Sequence, residues 1–233
     1  MKLIKYLIQC GIGSRRKCIS YVDEKKIKIN NEIAESIFQE ITQTDKVKFN
    51  DKLLKSETFD YYVLNKPKNY ICSNDDKFYN KLVINLLPKN KRLFTVGRLD
   101  KNTTGLILIT NDGNFANDIL HPSKKVIKSY EVIIEGKLNF NEIKFFKNHV
   151  KHIGKIWFQV EDLIFSDNHT KLIFKIIEGK KHIVKNFFTY NGVKILDLKR
   201  MSIGNLNLNE LQINDGAYKK TTKTYLLDSI FKN

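Results

Sequence analysis

Arginine and cysteine are both scarce in this chain. Of its 41 basic residues only five are arginine, Arg15, Arg16, Arg92, Arg98 and Arg200, and its three cysteines are Cys10, Cys18 and Cys72. The scattered thiols form no Cys-x-x-Cys pair, and no histidine stands at zinc-ligand spacing from two of them. That argues against a disulfide framework and a thiolate zinc site, and it suits a reducing compartment. There is no long uninterrupted apolar run, no signal-peptide cleavage site and no lipidation motif, so the expected location is the cytoplasm and no membrane partner is expected. No nucleotide-binding glycine loop appears, and no metal-ligating cluster, so neither a cofactor nor a metal is expected.

What is abundant is lysine. The formal net charge is +16 and the pI about 9.6, on an ordinary background of 42% hydrophobic and 28% charged residues. Such an excess of cations favours a polyanionic partner, nucleic acid first and an anionic membrane surface second. Lysine, asparagine and isoleucine are common throughout, as AT-rich coding DNA would produce. An arginine that persists against that bias points to a need for the forked guanidinium, which lysine lacks.

Residues 1–55 read as a small separate unit. Leu3, Ile4, Leu7 and Ile8 recur at helical spacing, Gly11-Ile12-Gly13 stops that helix, and Ser14 caps a second one from Arg15 to Asp23. Period-two strands follow at Lys26-Ile27-Lys28-Ile29 and Asp45-Lys46-Val47-Lys48-Phe49, with the turn pair Asn30-Asn31 after the first. Arg15, Arg16 and Lys17 crowd the N-terminus of the second helix. Cations there oppose the macrodipole, while the same helix end attracts anions, so the three read as a phosphate clamp.

A second unit spans residues 59–233. Strands are expected at 61–66, 106–110, 128–134, 155–163 and 171–177, and helices at 114–120, 141–150 and 181–190, while Phe94 to Val96 leads into the loop at 97–100. Three short strands or turns finish the chain. Strands outnumber helices and alternate irregularly with them, which reads as an α+β fold with a mixed, mostly antiparallel sheet flanked by helices. Within it, Gly97-Arg98-Leu99-Asp100 places a carboxylate in a loop ahead of the apolar strand Leu106-Ile107-Leu108-Ile109-Thr110. A loop acid backed by a rigid strand is one way to present a nucleophile or base, and equally a way to cap a turn. Tyr130 in Lys128-Ser129-Tyr130 suits a core or a base-stacking platform. Glu178-Gly179-Lys180-Lys181-His182-Ile183-Val184-Lys185 again brings cations to a helix start, and Arg200 sits beside a strand.

In their order and spacing these stretches resemble the rRNA pseudouridine synthase family, in which a catalytic domain follows an S-four-type (αL) RNA-binding module. Gly97-Arg98-Leu99-Asp100, Thr103-Thr104-Gly105-Leu106 and Thr110-Asn111-Asp112-Gly113 fit the family's catalytic motif. His121-Pro122, Lys128-Ser129-Tyr130, Glu178-Gly179, Leu198-Lys199-Arg200 and Ile203-Gly204 continue it in order. Three residues depart from the pattern: Ile183 where glutamine is usual, Asn186 where a second basic residue is usual, and Asn31 in place of glycine.

The resemblance implies a cofactor-free isomerisation of uridine to pseudouridine in rRNA of the large subunit. The alternatives are a small-subunit target, or an RNA-binding or ribosome-assembly factor whose chemistry has lapsed. Asp100 would be the nucleophile, Lys185 the cation that keeps it ionised, and Tyr130 the surface on which the uracil stacks. Arg15, Arg16, Lys17, Arg98, Thr104, Lys180, Lys181, His182 and Arg200 would contact RNA. The expected partner is rRNA or a pre-ribosomal particle, bound by a monomer.

Overall fold

The computed structural model describes residues 1–136, 141, 158–165 (backbone only), 168–177, 182–190 and 192–232. The chain divides into two compact units, Met1–Phe59 with Lys89–Arg92, and Asp60–Pro88 with Leu93–Asn233. No helix among the described residues is long and apolar enough to cross a membrane.

The first unit holds helices α1 (Leu3–Gln9) and α2 (Arg15–Asp23) and strands β1 (Ile27–Ile29), β2 (Glu32–Ile33), β3 (Val47–Phe49) and β4 (Lys52–Leu53). Leu3, Ile4 and Leu7 share the buried face of α1, as their spacing dictates. Gly11 at φ +70° follows that helix, and Ser14 Oγ accepts from the Lys17 N–H at 3.2 Å to cap α2. The strands form an antiparallel sheet in the order β2-β1-β3-β4. Asn30 and Asn31 both take positive φ in the turn between β1 and β2, a conformation asparagine tolerates. Ile27, Ile29 and Val47 face Leu3, Leu7 and Cys18 to complete a small core.

The second unit is built on one nine-stranded sheet. Its strands are β5 (Tyr61–Lys66), β6 (Phe94–Val96), β7 (Thr104–Thr110), β8 (Lys128–Glu135), β9 (Phe158–Phe165), β10 (His169–Ile176), β11 (Ile195–Ile203), β12 (Leu206–Asn207) and β13 (Tyr218–Thr221). The main order is β13-β5-β7-β11-β8-β10-β9, with β6 added on β7 and β12 on β11. The pairing of β7 with β11 is parallel; every other pairing among the described strands is antiparallel. Among the described residues its helices are α3 (Gly113–Leu120), α4 (Ile183–Tyr190), α5 (Leu208–Leu211) and α6 (Lys223–Phe231). Val184, Phe187 and Phe188 of α4 cover one face of the sheet against Tyr62, Ile107 and Phe174. Phe115 and Ile119 of α3, with Leu226 and Ile230 of α6, cover the other against Tyr61, Val63 and Leu108. Strands β5 and β7 are therefore buried on both sides, which explains their nearly unbroken apolar sequence.

The end of the chain differs from the expected short strands and turns: β11 is nine residues long and α6 is a nine-residue helix. Thr222 caps α6 by accepting from the Tyr225 N–H at 3.2 Å, but only Leu226 and Ile230 are buried along it, so its apolar periodicity is faint. Helix α4 begins at Ile183 rather than 181, because His182 adopts a left-handed φ of +56°. Glu178, Gly179, Lys180, Lys181 and all but the first residue of the helix expected at 141–150 lie outside the described residues.

Candidate active site

The sheet itself creates the gap from which Asp100 emerges. β6 runs along β7 from Phe94↔Thr110 to Val96↔Leu108, whereas β11 joins β7 only at Lys199↔Thr104 and Arg200↔Gly105. With β5 on the other side of β7, these two strands share one edge and part company along it. The loop 97–103 leaves the sheet where they part. Gly105 makes the close approach possible: its φ is +102°, and a Cβ there would collide with the Arg200 backbone.

Three contacts fix this loop. The Leu99 N–H donates to Cys72 Sγ at 3.3 Å, with Leu99 itself buried. The Thr103 N–H donates to the Asp100 carbonyl at 3.1 Å and closes the turn. Behind it, Lys66 is 0% exposed and its ammonium donates to the carbonyls of Thr103 (2.8 Å), Pro67 (3.1 Å) and Lys101 (3.3 Å). Burial pulls the Lys66 ammonium down to about 8, against the nearby Cys72, Asp100 and Asp215, which favour its charge.

The Asp100 carboxylate faces the start of α4. Lys185 Nζ lies 3.1 Å from Asp100 Oδ2, and His182 Nδ1 donates to the same oxygen at 2.9 Å. Partial burial pushes the carboxyl up, but the hydrogen bonds from His182 and Lys185 and the Lys185 charge outweigh it, so it lies below the ordinary value. The exposed amide dipoles of a helix N-terminus favour the same anion. A carboxylate held ionised in a half-dry setting is the chemical result, an arrangement suited to a nucleophile or a base.

Asp100 opens onto a cleft of about 520 Å³. Tyr130 of β8 and Arg200 of β11 stand directly opposite each other in register, and both line it, with Lys128 two residues along β8. Tyr130 is 8% exposed. Burial, reinforced by the Arg200 charge, holds the Lys128 ammonium down at about 8. Burial also pushes the Cys72 thiol up, against the Leu99 N–H and the positive charges of Lys66, Arg200 and Arg98.

The fold thus brings together Asp100, Tyr130, Lys185, His182 and Arg200, with exposed Arg98 on the cleft wall. His182, expected at phosphate, is turned onto Asp100. Thr104 is buried at the head of β7 and paired with Lys199; its neighbour Thr103 lines the cleft. Ile183, where glutamine was expected, contributes an apolar wall and packs against the core. Arg15, Arg16 and Lys17 are exposed on the first turn of α2, in the other unit. Lys66, Cys72, Thr103 and Lys128 were not singled out from sequence as site residues. Thr103 and Lys128 lie within the quoted motif stretches, and Lys66 carries a local sign of its own, a lysine that ends a largely apolar strand before a proline.

Residues 60–190 match the family described as RNA pseudouridylate synthase. A Haemophilus influenzae protein named ribosomal small subunit pseudouridine synthase A is 31% identical, over 96% of this chain and 97% of its own. A Bacillus subtilis protein named ribosomal large subunit pseudouridine synthase B is 30% identical, over 92% and 90%. A crystal structure of a pseudouridylate synthase superposes with a TM-score of 0.65 at 29% identity, covering 99% of both chains.

Proposed function

The chain belongs to the RNA pseudouridylate synthase family, and from that premise we propose that it isomerises a uridine of ribosomal RNA to pseudouridine, with Asp100 as its catalytic carboxylate. The observation that carries this reading is the ionised Asp100, bonded to Lys185 and His182 at the mouth of a cleft floored by Tyr130. Uridine C1′ is hidden within a stacked helix, so the nucleotide must be turned out to reach the acid, at a cost of a few kcal/mol. Tyr130 then offers a ring for the extruded base, and Arg98 a forked donor for RNA at the cleft wall. The C1′–N1 bond breaks, the base turns, and C5 joins C1′. The proton lost from C5 is balanced by one gained at N1. Asp100 acts either by bonding to C1′ or by supporting a glycal intermediate, and in both routes it must be ionised beside the sugar.

Residues 1–55 are proposed to be an S-four-type RNA-binding module. The helix-helix-sheet arrangement and the exposed Arg15, Arg16 and Lys17 at a capped helix start support that role. Ribosomal RNA as the substrate rests on the names of the two relatives. They differ in subunit at nearly equal identity; the large subunit is kept as the working target on the overall resemblance of the chain.

The test is release of tritium from rRNA labelled at uracil C5, with and without Asp100→Asn. The wild type releases label and the variant binds RNA but does not. An active Asp100→Asn protein overturns the assignment. Pseudouridine mapping of both rRNAs, in cells with and without the gene, identifies the subunit by the site that disappears.

A further inference from the structure

Among the described residues, buried polar atoms in the Asp100 cleft lack hydrogen-bond partners. Arg200 is 5% exposed and Thr103 2%, yet Arg200 Nη2 and Thr103 Oγ1 have no hydrogen-bond partner among the described residues, and both residues line the cleft. Arg200 Nε donates to the Leu106 carbonyl at 2.6 Å, which fixes the guanidinium in place and leaves Nη2 spare. Lys128 stands beside it, with its Nζ 3.3 Å from the Ile177 carbonyl. Neither cation is paired with a carboxylate among the described residues. Two neighbouring cations in a half-dry site, with no counter-ion among the described residues, are unfavourable for folding alone. The arrangement becomes favourable when negative charge arrives.

Isomerisation of uridine at Asp100 produces such a charge, and the role of Arg200 rests on that proposed reaction. When the C1′–N1 bond breaks, its electron pair stays with the uracil and spreads over N1, O2 and O4. Directly opposed residues on antiparallel strands project from the same face, so a base stacked on Tyr130 lies beside the Arg200 guanidinium. We propose that Arg200 is a further catalytic residue, whose Nη2 donates to a carbonyl oxygen of the departing uracil and stabilises it as the anion, with Thr103 Oγ1 as a second hydrogen-bond partner of the base. The negative charge is discharged when C5 bonds to C1′, the C5 proton leaves and N1 takes one up, so no oxidant, reductant or other reactant is needed. A donor fixed where charge develops lowers the barrier and leaves ground-state RNA affinity little changed.

The experiment uses the full-length protein and rRNA transcripts carrying uridine or 5-fluorouridine. Fluorine makes the uracil anion more stable, so it replaces part of what Arg200 supplies. Arg200→Gln is expected to slow single-turnover conversion of uridine by about 100-fold with RNA affinity nearly unchanged, as for loss of one oxyanion donor. 5-Fluorouridine has no C5 proton to lose and cannot complete the isomerisation, so on both bases the rate compared is loss of the parent nucleotide's C1′–N1 bond; with 5-fluorouridine the deficit in that step shrinks to about tenfold or less. Arg200→Lys, which keeps a charge in the core, shows a smaller deficit with the same narrowing, and it carries the comparison if the glutamine variant does not fold. Equal deficits on both bases mean a purely structural arginine and overturn the proposal. So does a loss confined to RNA affinity and its salt dependence, which would place a phosphate there. An active Asp100→Asn protein, or a wild type inactive on rRNA, overturns the underlying reading instead.

Discussion

Lys66 Nζ donates to the Thr103 carbonyl at 2.8 Å, so a fully buried ammonium ties the end of β5 to the loop that carries Asp100. Replacing it by methionine keeps the volume but leaves three carbonyls short of a donor. An unmet buried acceptor costs about 1–3 kcal/mol, and partial hydration of three of them gives an expected loss of about 2–4 kcal/mol. Urea unfolding of Lys66→Met measures this, and a loss below about 0.5 kcal/mol would contradict the tether.

Lys66 also makes stability depend on pH. Burial lowers its folded value to about 8 from 10.5. Between those values the unfolded chain keeps a proton that the folded protein has released, so raising the pH favours the folded state. The stability advantage of wild type over Lys66→Met therefore grows from pH 8 toward 10.5 and is flat below 8. Urea melts of both proteins at pH 7, 8.5 and 9.5 check the slope. An advantage that falls with pH would contradict it.

Lys185 acts on Asp100 by hydrogen bond and by charge. In Lys185→Met the Asp100 carboxyl rises, so the acid limb of the kcat/KM profile moves to higher pH and the rate at neutral pH falls by about 100-fold, the usual scale for loss of one electrostatic partner. Lys185→Arg restores most of both. A fall in rate with an unmoved acid limb would mean that Lys185 serves RNA rather than Asp100.

How far the sequence foretold this site depends on the range of the forces involved. Helix α1, the Ser14 cap and the buried strands β5 and β7 are written in local periodicity, and Asp100 in a local motif. The pairing of His182 with Asp100 is not, because it depends on where α4 docks and on a left-handed φ at a non-glycine residue. Lys66 reads as the polar end of a strand; its burial comes from loop closure by residues far along the chain. Arg200 was legible as a retained arginine, but its orientation follows from the β7–β11 contact.

That contact is tested at Gly105. Alanine there meets the Arg200 backbone and must adopt a φ of +102°. Both penalties fall on one residue, so Gly105→Ala is expected to lose about 3 kcal/mol or more, or to fail to fold. Thermal unfolding measures it, and a Tm within a degree or two of wild type would show that β7 and β11 separate freely.

Arg15, Arg16 and Lys17 are all exposed on the first turn of α2, where they oppose the helix dipole. Placement that disfavours the free helix becomes useful when a phosphate stands at its N-terminus, since the cations and the free N–H groups then act on one anion. Replacing all three by alanine should leave stability unchanged or slightly raised, because the opposition to the dipole is removed. Binding to rRNA should weaken. Each phosphate contact contributes about 0.7–0.9 to the slope of log affinity against log salt, so losing three lowers its magnitude by about 2. The single-turnover rate at saturating RNA should hold, because Asp100 and its partners are untouched. Titrations at several salt concentrations separate the outcomes: a smaller slope with intact turnover supports a phosphate clamp, and an unchanged slope assigns the three cations to a solvated surface.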